Sequence, residues 1–297
     1  MKTSLIIGTR GSDLALWQAN YVQSKLKTLG VESTIHIIKT QGDQIQHLSL
    51  DKLEGKGFFT KEIEDALLKN EVDIAVHSHK DLETEQPFGL MIAAVSDRAD
   101  AAEMLLIHPR AFDENQKIPF KLNAVIGTSS ARRKSQILHF RPDITLQDIR
   151  GNVPTRVQKL RDGQYDAILL AKAGLDRLEL DLSDLKAVPL DPEYFVPAPA
   201  QGVLAIQCRS NDDDTIAILK KMNNDKVAIT TGIERTVLNK MHGGCHLPLG
   251  VYATEEDGEY TVHVSYATAW NQPVRNISFM ANNAEGLPQL IVDEIKK

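Results

Sequence analysis

Two distant stretches of this chain follow one plan. Leu5-Ile6-Ile7-Gly8-Thr9-Arg10-Gly11-Ser12 sets a short apolar strand before Gly-Thr and a serine, and Ala124-Val125-Ile126-Gly127-Thr128-Ser129-Ser130 does the same. Each serine precedes a helical pattern. In the first copy the helix runs from Asp13 to about Leu29, with Ser12 as N-cap, an apolar face of Leu14, Trp17, Val22, Leu26 and Leu29, and Gly30 to end it. A second echo links Asp73-Ile74-Ala75-Val76-His77-Ser78-His79-Lys80 with Asp166-Ala167-Ile168-Leu169-Leu170-Ala171-Lys172. These matches are short and unevenly spaced, so they do not show a gene duplication. They do predict an α/β chain with two lobes of βα construction. Alternating strands and helices imply mostly parallel sheets, which hold ligands beyond the strand C-termini. Arg10, Ser12, Lys80, Asp81, Thr128 and Ser129 all fall there.

Further strands are expected at Ser33–Lys39, at Val72–Val76 and at Val203–Cys208. A helix capped by Thr60 should bury Ile63, Ala66 and Leu67. Val196-Pro197-Ala198-Pro199-Ala200-Gln201-Gly202 is a Pro-rich connector with the character of a hinge. Beyond Asn211-Asp212-Asp213-Asp214 the texture changes. Helices near Thr215–Met222 and Val227–Asn239, a hairpin turning at Asp257-Gly258, and an amphipathic helix after Pro288 read as a small α+β domain. The expected division is 1–98 with 199–214 for lobe 1, 103–193 for lobe 2, and 218–297 for the third domain.

Composition narrows the function classes. With 297 residues, 42% apolar and 25% charged, the chain suits two or three soluble globular domains. A net charge of −6 disfavours wholesale nucleic-acid binding. No apolar run reaches the roughly 18 residues that span a bilayer, so no membrane partner is expected. Residues 1–8 run straight into a strand without a secretory pattern, and two cysteines make no disulfide framework. A cytoplasmic location with reduced thiols is the expectation.

Charge is concentrated in the second lobe. Between Lys121 and Arg161 stand nine basic residues against Asp143 and Asp148, a local +7. Arg132, Arg133 and Lys134 fall in the first helical turn, where cations oppose the helix dipole at about 0.3–1 kcal/mol each. That placement makes sense if an anion binds among the helix N–H groups, the hydroxyls and the guanidinium forks. Arg150-Gly151-Asn152-Val153-Pro154-Thr155-Arg156 repeats the device, with Pro154 suited to a first turn. Arg10 and Lys56 extend the theme into the first lobe. Neither glycine-rich loop has Walker or dinucleotide spacing, so the partner is a polyanion that need not be a nucleotide.

His77-Ser78-His79-Lys80-Asp81 ends a buried strand, and a carboxylate beside a lysine there suits general acid/base work or cation stabilisation. An ion pair closing a loop is the plain alternative. His77 and His79 should alternate faces, which argues against a shared metal. In His242-Gly243-Gly244-Cys245-His246 three readings stay open: a thiol nucleophile, a thiolate–imidazole metal site, or an incidental cysteine in a flexible loop. Nothing near them completes a metal set, so no metal is expected. Cys208 reads as a buried strand residue.

In this order, the motifs resemble the porphobilinogen deaminase (hydroxymethylbilane synthase) family. The resemblance runs from Gly8 to about Gly250, through Thr9-Arg10-Gly11-Ser12, Gly55-Lys56-Gly57, His77-Ser78-His79-Lys80-Asp81, Gly127-Thr128-Ser129-Ser130-Ala131-Arg132-Arg133, Arg150-Gly151-Asn152-Val153, Ala173-Gly174-Leu175, Gln201-Gly202 and Gly243-Gly244-Cys245. It implies two lobes like those of periplasmic binding proteins plus a third α+β domain. It implies a transferase of tetrapyrrole (haem) biosynthesis, acting as a monomer on porphobilinogen. Four substrate units would be added with loss of ammonia to a dipyrromethane cofactor held covalently by Cys245, and 1-hydroxymethylbilane released by hydrolysis. Asp81 is then the catalytic carboxylate. Ser78, Lys80, Thr128, Ser129, Arg132, Arg133, Arg150 and Arg156 hold the cofactor, and Arg10, Ser12, Arg177 and Gln201 bind substrate. The chain departs from the family pattern at His79, Glu83, residues 97–103, Ala131 and Pro199-Ala200.

Two other readings compete. A non-catalytic intracellular anion-binding module on the same two lobes would have no use for Cys245. A Cys-His acyl-transfer enzyme would leave the arginines unexplained.

Overall fold

A computed structural model describes residues 2–40, 60–242 and 247–297. The expectations placed on Lys56 and its flanking glycines, and on Gly243, Gly244, Cys245 and His246, lie outside the described residues. Contacts divide the chain into two compact units, Met1–Ala99 with Gly202–Ile229 and Asp100–Gln201 with Thr230–Lys297.

In the first unit β1 (Ser4–Thr9) lies between β2 (Glu32–Ile37) and β3 (Ile74–Ser78), parallel to both. β10 (Leu204–Arg209) then runs antiparallel between β3 and β4 (Leu90–Val95), giving the order β2-β1-β3-β10-β4. The helix α1 (Asp13–Thr28) buries Gln18, Ala19, Val22 and Leu26 against Leu5, Ile7, Ile74, Val76, Leu204, Ile206 and Cys208. Leu29, expected on that face, is 38% exposed. It is the C-cap residue, and the chain leaves the helix axis at Gly30, whose φ of +74° favours glycine. The helix α2 (Lys61–Leu68) buries Ile63, Ala66 and Leu67 as expected. Thr60 precedes it without a side-chain capping bond; its hydroxyl lies 3.5 Å from the Glu64 carboxylate instead. A final helix, α6 (Asp213–Lys220), is capped by Asp212.

The second unit repeats this sheet. Its order is β7 (Thr145–Gln147), β6 (Val125–Gly127), β8 (Ala167–Ala171), β5 (Glu103–Ile107), β9 (Lys186–Leu190). Again the first three are parallel and the fourth is antiparallel to both neighbours. The expected parallel arrangement thus holds for three strands in each sheet, and one strand reverses the direction. Three helices follow strands here: α3 (Ala131–Phe140), α4 (Val153–Arg161) and α5 (Lys172–Leu178).

The echoes seen in sequence are one structural device used twice. The Asp73 carboxylate accepts from Ile6 N at 2.9 Å and pairs with Lys2 at 2.8 Å. The Asp166 carboxylate accepts from Val125 N at 2.9 Å and pairs with Lys121 at 2.9 Å. Gly8 and Gly127 match as well: an added Cβ would lie 3.0 Å from Val72 and 2.8 Å from the Tyr165 ring, the residues just before those two aspartates.

Residues from Thr230 onward form the α+β part of the second unit. The helix α7 (Asp225–Lys240) enters it, the strands β11 (Leu249–Glu256), β12 (Glu259–Tyr266) and β13 (Arg275–Ala281) make an antiparallel sheet, and α8 (Leu287–Ile295) packs on the same core. Asp257 (φ +49°) and Gly258 (φ +86°) form the tight hairpin turn the sequence signals. The buried Glu234 carboxylate accepts from Ala200 N and, at 2.8 Å, from Ala253 N, so it joins α7 to the Pro-rich connector and to β11. Gly250 is required by that close approach, because a Cβ there would lie 2.6 Å from Val196 O. No described helix is long and apolar enough to cross a membrane.

Candidate active site

At the first lobe's strand ends, β1 and β3 are parallel neighbours, so Thr9–Ser12 and Ser78–Asp81 leave the same edge of the sheet. Ser12 caps α1, accepting from Ala15 N. Buried Gln18 on that helix donates to the Ser78 hydroxyl at 2.8 Å, which fixes α1 against the end of β3. His79–Asp81 then make a single 3-10 turn, held by His79 N donating to Val203 O at 2.9 Å. His79 and Leu82 are both buried, Lys80 is half-buried, and Asp81 is exposed. The turn is therefore anchored on either side of the carboxylate it presents. Arg10 is half-buried at the neighbouring strand end.

His77 and His79 do not alternate between core and solvent; both are buried. Residues two apart share a face of a strand, so the period of two does not set these histidines on opposite sides, and β3 is in any case buried from Ile74 to His77. Burial pushes the His77 imidazole down to about 4; Gln207 opposes the shift and the charge of Arg10 adds to it. Among the described residues no group of three or more His, Cys, Asp or Glu could hold a metal ion.

Thr128 and Ser129 mark the matching edge of the second lobe. Thr128 is buried, and its hydroxyl accepts from Ser130 N at 3.3 Å. The Ser129 hydroxyl donates to Ile149 O at 2.9 Å and accepts from Ile149 N at 3.1 Å, tying the end of β6 to the chain just beyond β7. Ser130 caps α3. Asn152 caps α4, accepting from Thr155 N at 2.9 Å, with Pro154 in the first turn as expected. Gly151 is obligatory there: φ is +114° and a Cβ would lie 2.6 Å from Thr155.

The arginines divide into two kinds. Arg150 is half-buried, and its guanidinium has no hydrogen bond or ion pair to described residues; only its carbonyl is used, by Lys159 at 3.0 Å. Arg156 is half-buried with Nε donating to Gly151 O at 2.8 Å, and Arg177 is half-buried in the last turn of α5. Arg132 and Arg133, by contrast, are buried and share one carboxylate, that of Glu103. Arg132 also donates to Val196 O and Arg133 to Leu169 O, each at 3.0 Å. The Nε of Arg133 is buried with no partner among the described residues. Sequence reasoning missed Glu103, and the one available signal was an acid opening the apolar run Glu103-Met104-Leu105-Leu106-Ile107. Lys134, expected with the two arginines, pairs with Asp148 at 2.6 Å and lies over the Trp270 ring at 5.4 Å. Gln201 is fully buried and donates to Ala101 O at 2.8 Å.

Two family models match the chain: "Porphobilinogen deaminase, dipyromethane cofactor binding domain" over residues 5–217, and "Porphobilinogen deaminase, C-terminal domain" over residues 228–271. The chain belongs to the porphobilinogen deaminase family. Porphobilinogen deaminase of Nitratiruptor sp. is 46% identical over 84% of this chain and 78% of that protein. The probable porphobilinogen deaminase of Methanocaldococcus jannaschii is 40% identical over 98% and 94%. Among solved structures, the Bordetella pertussis BvgS periplasmic VFT2 domain aligns with a TM-score of 0.44 and 12% identity, over 78% of this chain and 93% of that one. That likeness is too loose to add to the strand order. As a member of the porphobilinogen deaminase family the chain is a transferase whose cofactor is dipyrromethane, and the matched domain that binds it takes in both five-stranded sheets.

Proposed function

We propose that this chain is a hydroxymethylbilane synthase in which Cys245 anchors the dipyrromethane, Asp81 does the proton and charge work, and the lobe-2 arginines hold carboxylates. The observation that carries the assignment of roles is Asp81. It is an exposed carboxylate next to half-buried Lys80, on a turn pinned by buried neighbours at the end of a core strand. Such a group can hydrogen-bond a substrate amine, help it leave as ammonia, and stabilise the positive charge that develops on the pyrrole. Its oxygens then suit pyrrole N–H donors.

The residues present fit the cofactor's chemistry. The Arg150 guanidinium has no partner among the described residues, and the unpartnered Nε–H of Arg133 is a donor awaiting an acceptor. Thr128, Ser129 and Arg156 occupy the same strand-end region, and guanidinium forks suit acetate and propionate groups. When bound, the dipyrromethane would supply the terminal pyrrole that accepts the first new unit. Arg10, Ser12, Arg177 and Gln201 are assigned to the substrate. Gln201 does this work through position, since its amide is spent on Ala101 and Ala102 carbonyls. We further read the protein as a monomer acting in the cytoplasm, without a nucleic-acid or membrane partner. The net charge of −6 speaks against wholesale nucleic-acid binding.

The test is the intact mass of the purified protein together with porphobilinogen turnover. Active protein should carry an adduct of two pyrrole units that is absent from Cys245→Ser. Turnover by protein of unmodified mass would sink the proposal.

A further inference from the structure

Among the described residues, one buried ionic cluster in lobe 2 has no counterpart at the matching place in lobe 1. Glu103 is wholly buried and its two oxygens are divided between Arg132 and Arg133. The cluster keeps a net charge of +1 after that pairing. Breaking such a group by removing one charge is costly, while replacing it entirely by apolar residues often costs nothing. The protein itself shows the apolar version. Glu103 pairs with Ala171 across β5 and β8, and Leu204 pairs with Ser78 at the same place in the lobe-1 sheet. The second and third residues of α3 are Arg132 and Arg133, and those of α1 are Leu14 and Ala15. An equivalent frame is thus held together without any of the three charges, so folding alone does not call for them.

Where Glu103 stands matters. β5 runs antiparallel to β8, so its first residue lies at the edge where the parallel strands end, the edge of Thr128 and Ser129. From there it reaches the first turn of α3. Together with Val196 O and Leu169 O it engages the terminal nitrogens of both guanidinium groups, and it leaves the Arg133 Nε–H unused. We infer that Glu103 is a positioning residue: it fixes the planes of Arg132 and Arg133 and sets the residual single positive charge that an anionic ligand meets. The inference rests on the proposed function above, in which those arginines hold carboxylates.

The test uses the full chain with Glu103→Gln and Glu103→Asp. The readouts are the fraction of molecules carrying the adduct, kcat and KM per adduct-bearing molecule, and the thermal midpoint. Glu103→Gln keeps the shape but raises the buried charge. It should lower adduct loading, or kcat of the loaded fraction, by about tenfold to hundredfold, the range expected for displaced binding groups. Glu103→Asp keeps the charge but withdraws it by one methylene, and should fall between Gln and the natural residue. If both variants match wild type in loading, kcat and KM and only the thermal midpoint drops, Glu103 is merely structural and the inference is overturned. Should Glu103→Gln not accumulate folded, Glu103→Asp decides by the same readings. Wild-type protein run alongside separates the two ideas, since absence of adduct and turnover there overturns the function itself.

Discussion

The two lobes share one sheet plan and differ at a few positions near their strand ends. Strand order, pairing direction, register between the first and third strands, the Asp73 and Asp166 clamps, and a buried glutamine at the same turn of the first helix (Gln18, Gln136) all coincide. The third strands then part company. β3 ends in the 3-10 turn that presents Asp81, whereas β8 passes directly into α5 through Lys172-Ala173-Gly174, so lobe 2 has no carboxylate at that place. Lobe 1 buries His77 where lobe 2 buries Leu170, and lobe 2 buries Glu103 where lobe 1 buries Leu204. The lesson is a difference in kind: one copy of the frame presents an exposed carboxylate at its strand end, and the other holds buried cations there.

The largest expected effect breaks that asymmetry. Asp81→Ala should retain the fold and lose activity by about 10²-fold or more, the usual worth of a positioned acid or base. Steady-state turnover with a thermal melt checks it, and near-normal turnover would take the role away from Asp81.

A second effect should confine acid sensitivity to lobe 1. The folded His77 pKa of about 4 lies below the ordinary 6.5 of the unfolded chain. The unfolded state therefore binds the extra proton first as pH falls. The contribution of neutral His77 is complete above pH 6.5 and is lost on going down to about pH 4, a change of about 3 kcal/mol. Hydrogen exchange at β3 should accelerate over that window while β8 stays protected. His77→Leu, which installs the lobe-2 residue, should flatten the dependence.

The smallest effect compares the matched glycines. Gly127→Ala meets the rigid Tyr165 ring at 2.8 Å and Gly8→Ala meets a Val72 methyl at 3.0 Å. Overpacking of this sort costs about 1–3 kcal/mol. Gly127→Ala should be the worse of the two in denaturant titrations, and equal losses would mean that the two sites are equally tight.

What could be read in the sequence was local. The Ser12 and Ser130 caps, Pro154 in a first helical turn, the paired strand–Gly–Thr motifs, the Asp257-Gly258 turn and the burial of Cys208 each depend on a few adjacent residues. Cys208 turns out to occupy the place that Ile107 fills in the other sheet, consistent with a thiol pushed up to about 11 by burial. What could not be read depends on pairing between distant segments. The direction of β10 and the meeting of Glu103 with Arg132 and Arg133 arise only once β5 is set beside β8. β13 is hard to read because its exposed face mixes Asn276 and Ser278 with Met280, and its inner face, Ile277, Phe279 and Ala281, is only half-buried.

Strand β10 has one more consequence, for the order in which a ribosome delivers the chain. Every strand of the lobe-2 sheet lies between Glu103 and Leu190, so that sheet can close as soon as this stretch emerges. The lobe-1 sheet was begun earlier, yet the strand that belongs between β3 and β4 is made only at Leu204–Arg209. Until then β3 and β4 each present an open edge, the kind of surface that invites mispairing during synthesis. The lobe that starts first therefore finishes last, and the turn bearing Asp81 gains its anchor at Val203 only when lobe 2 is already complete.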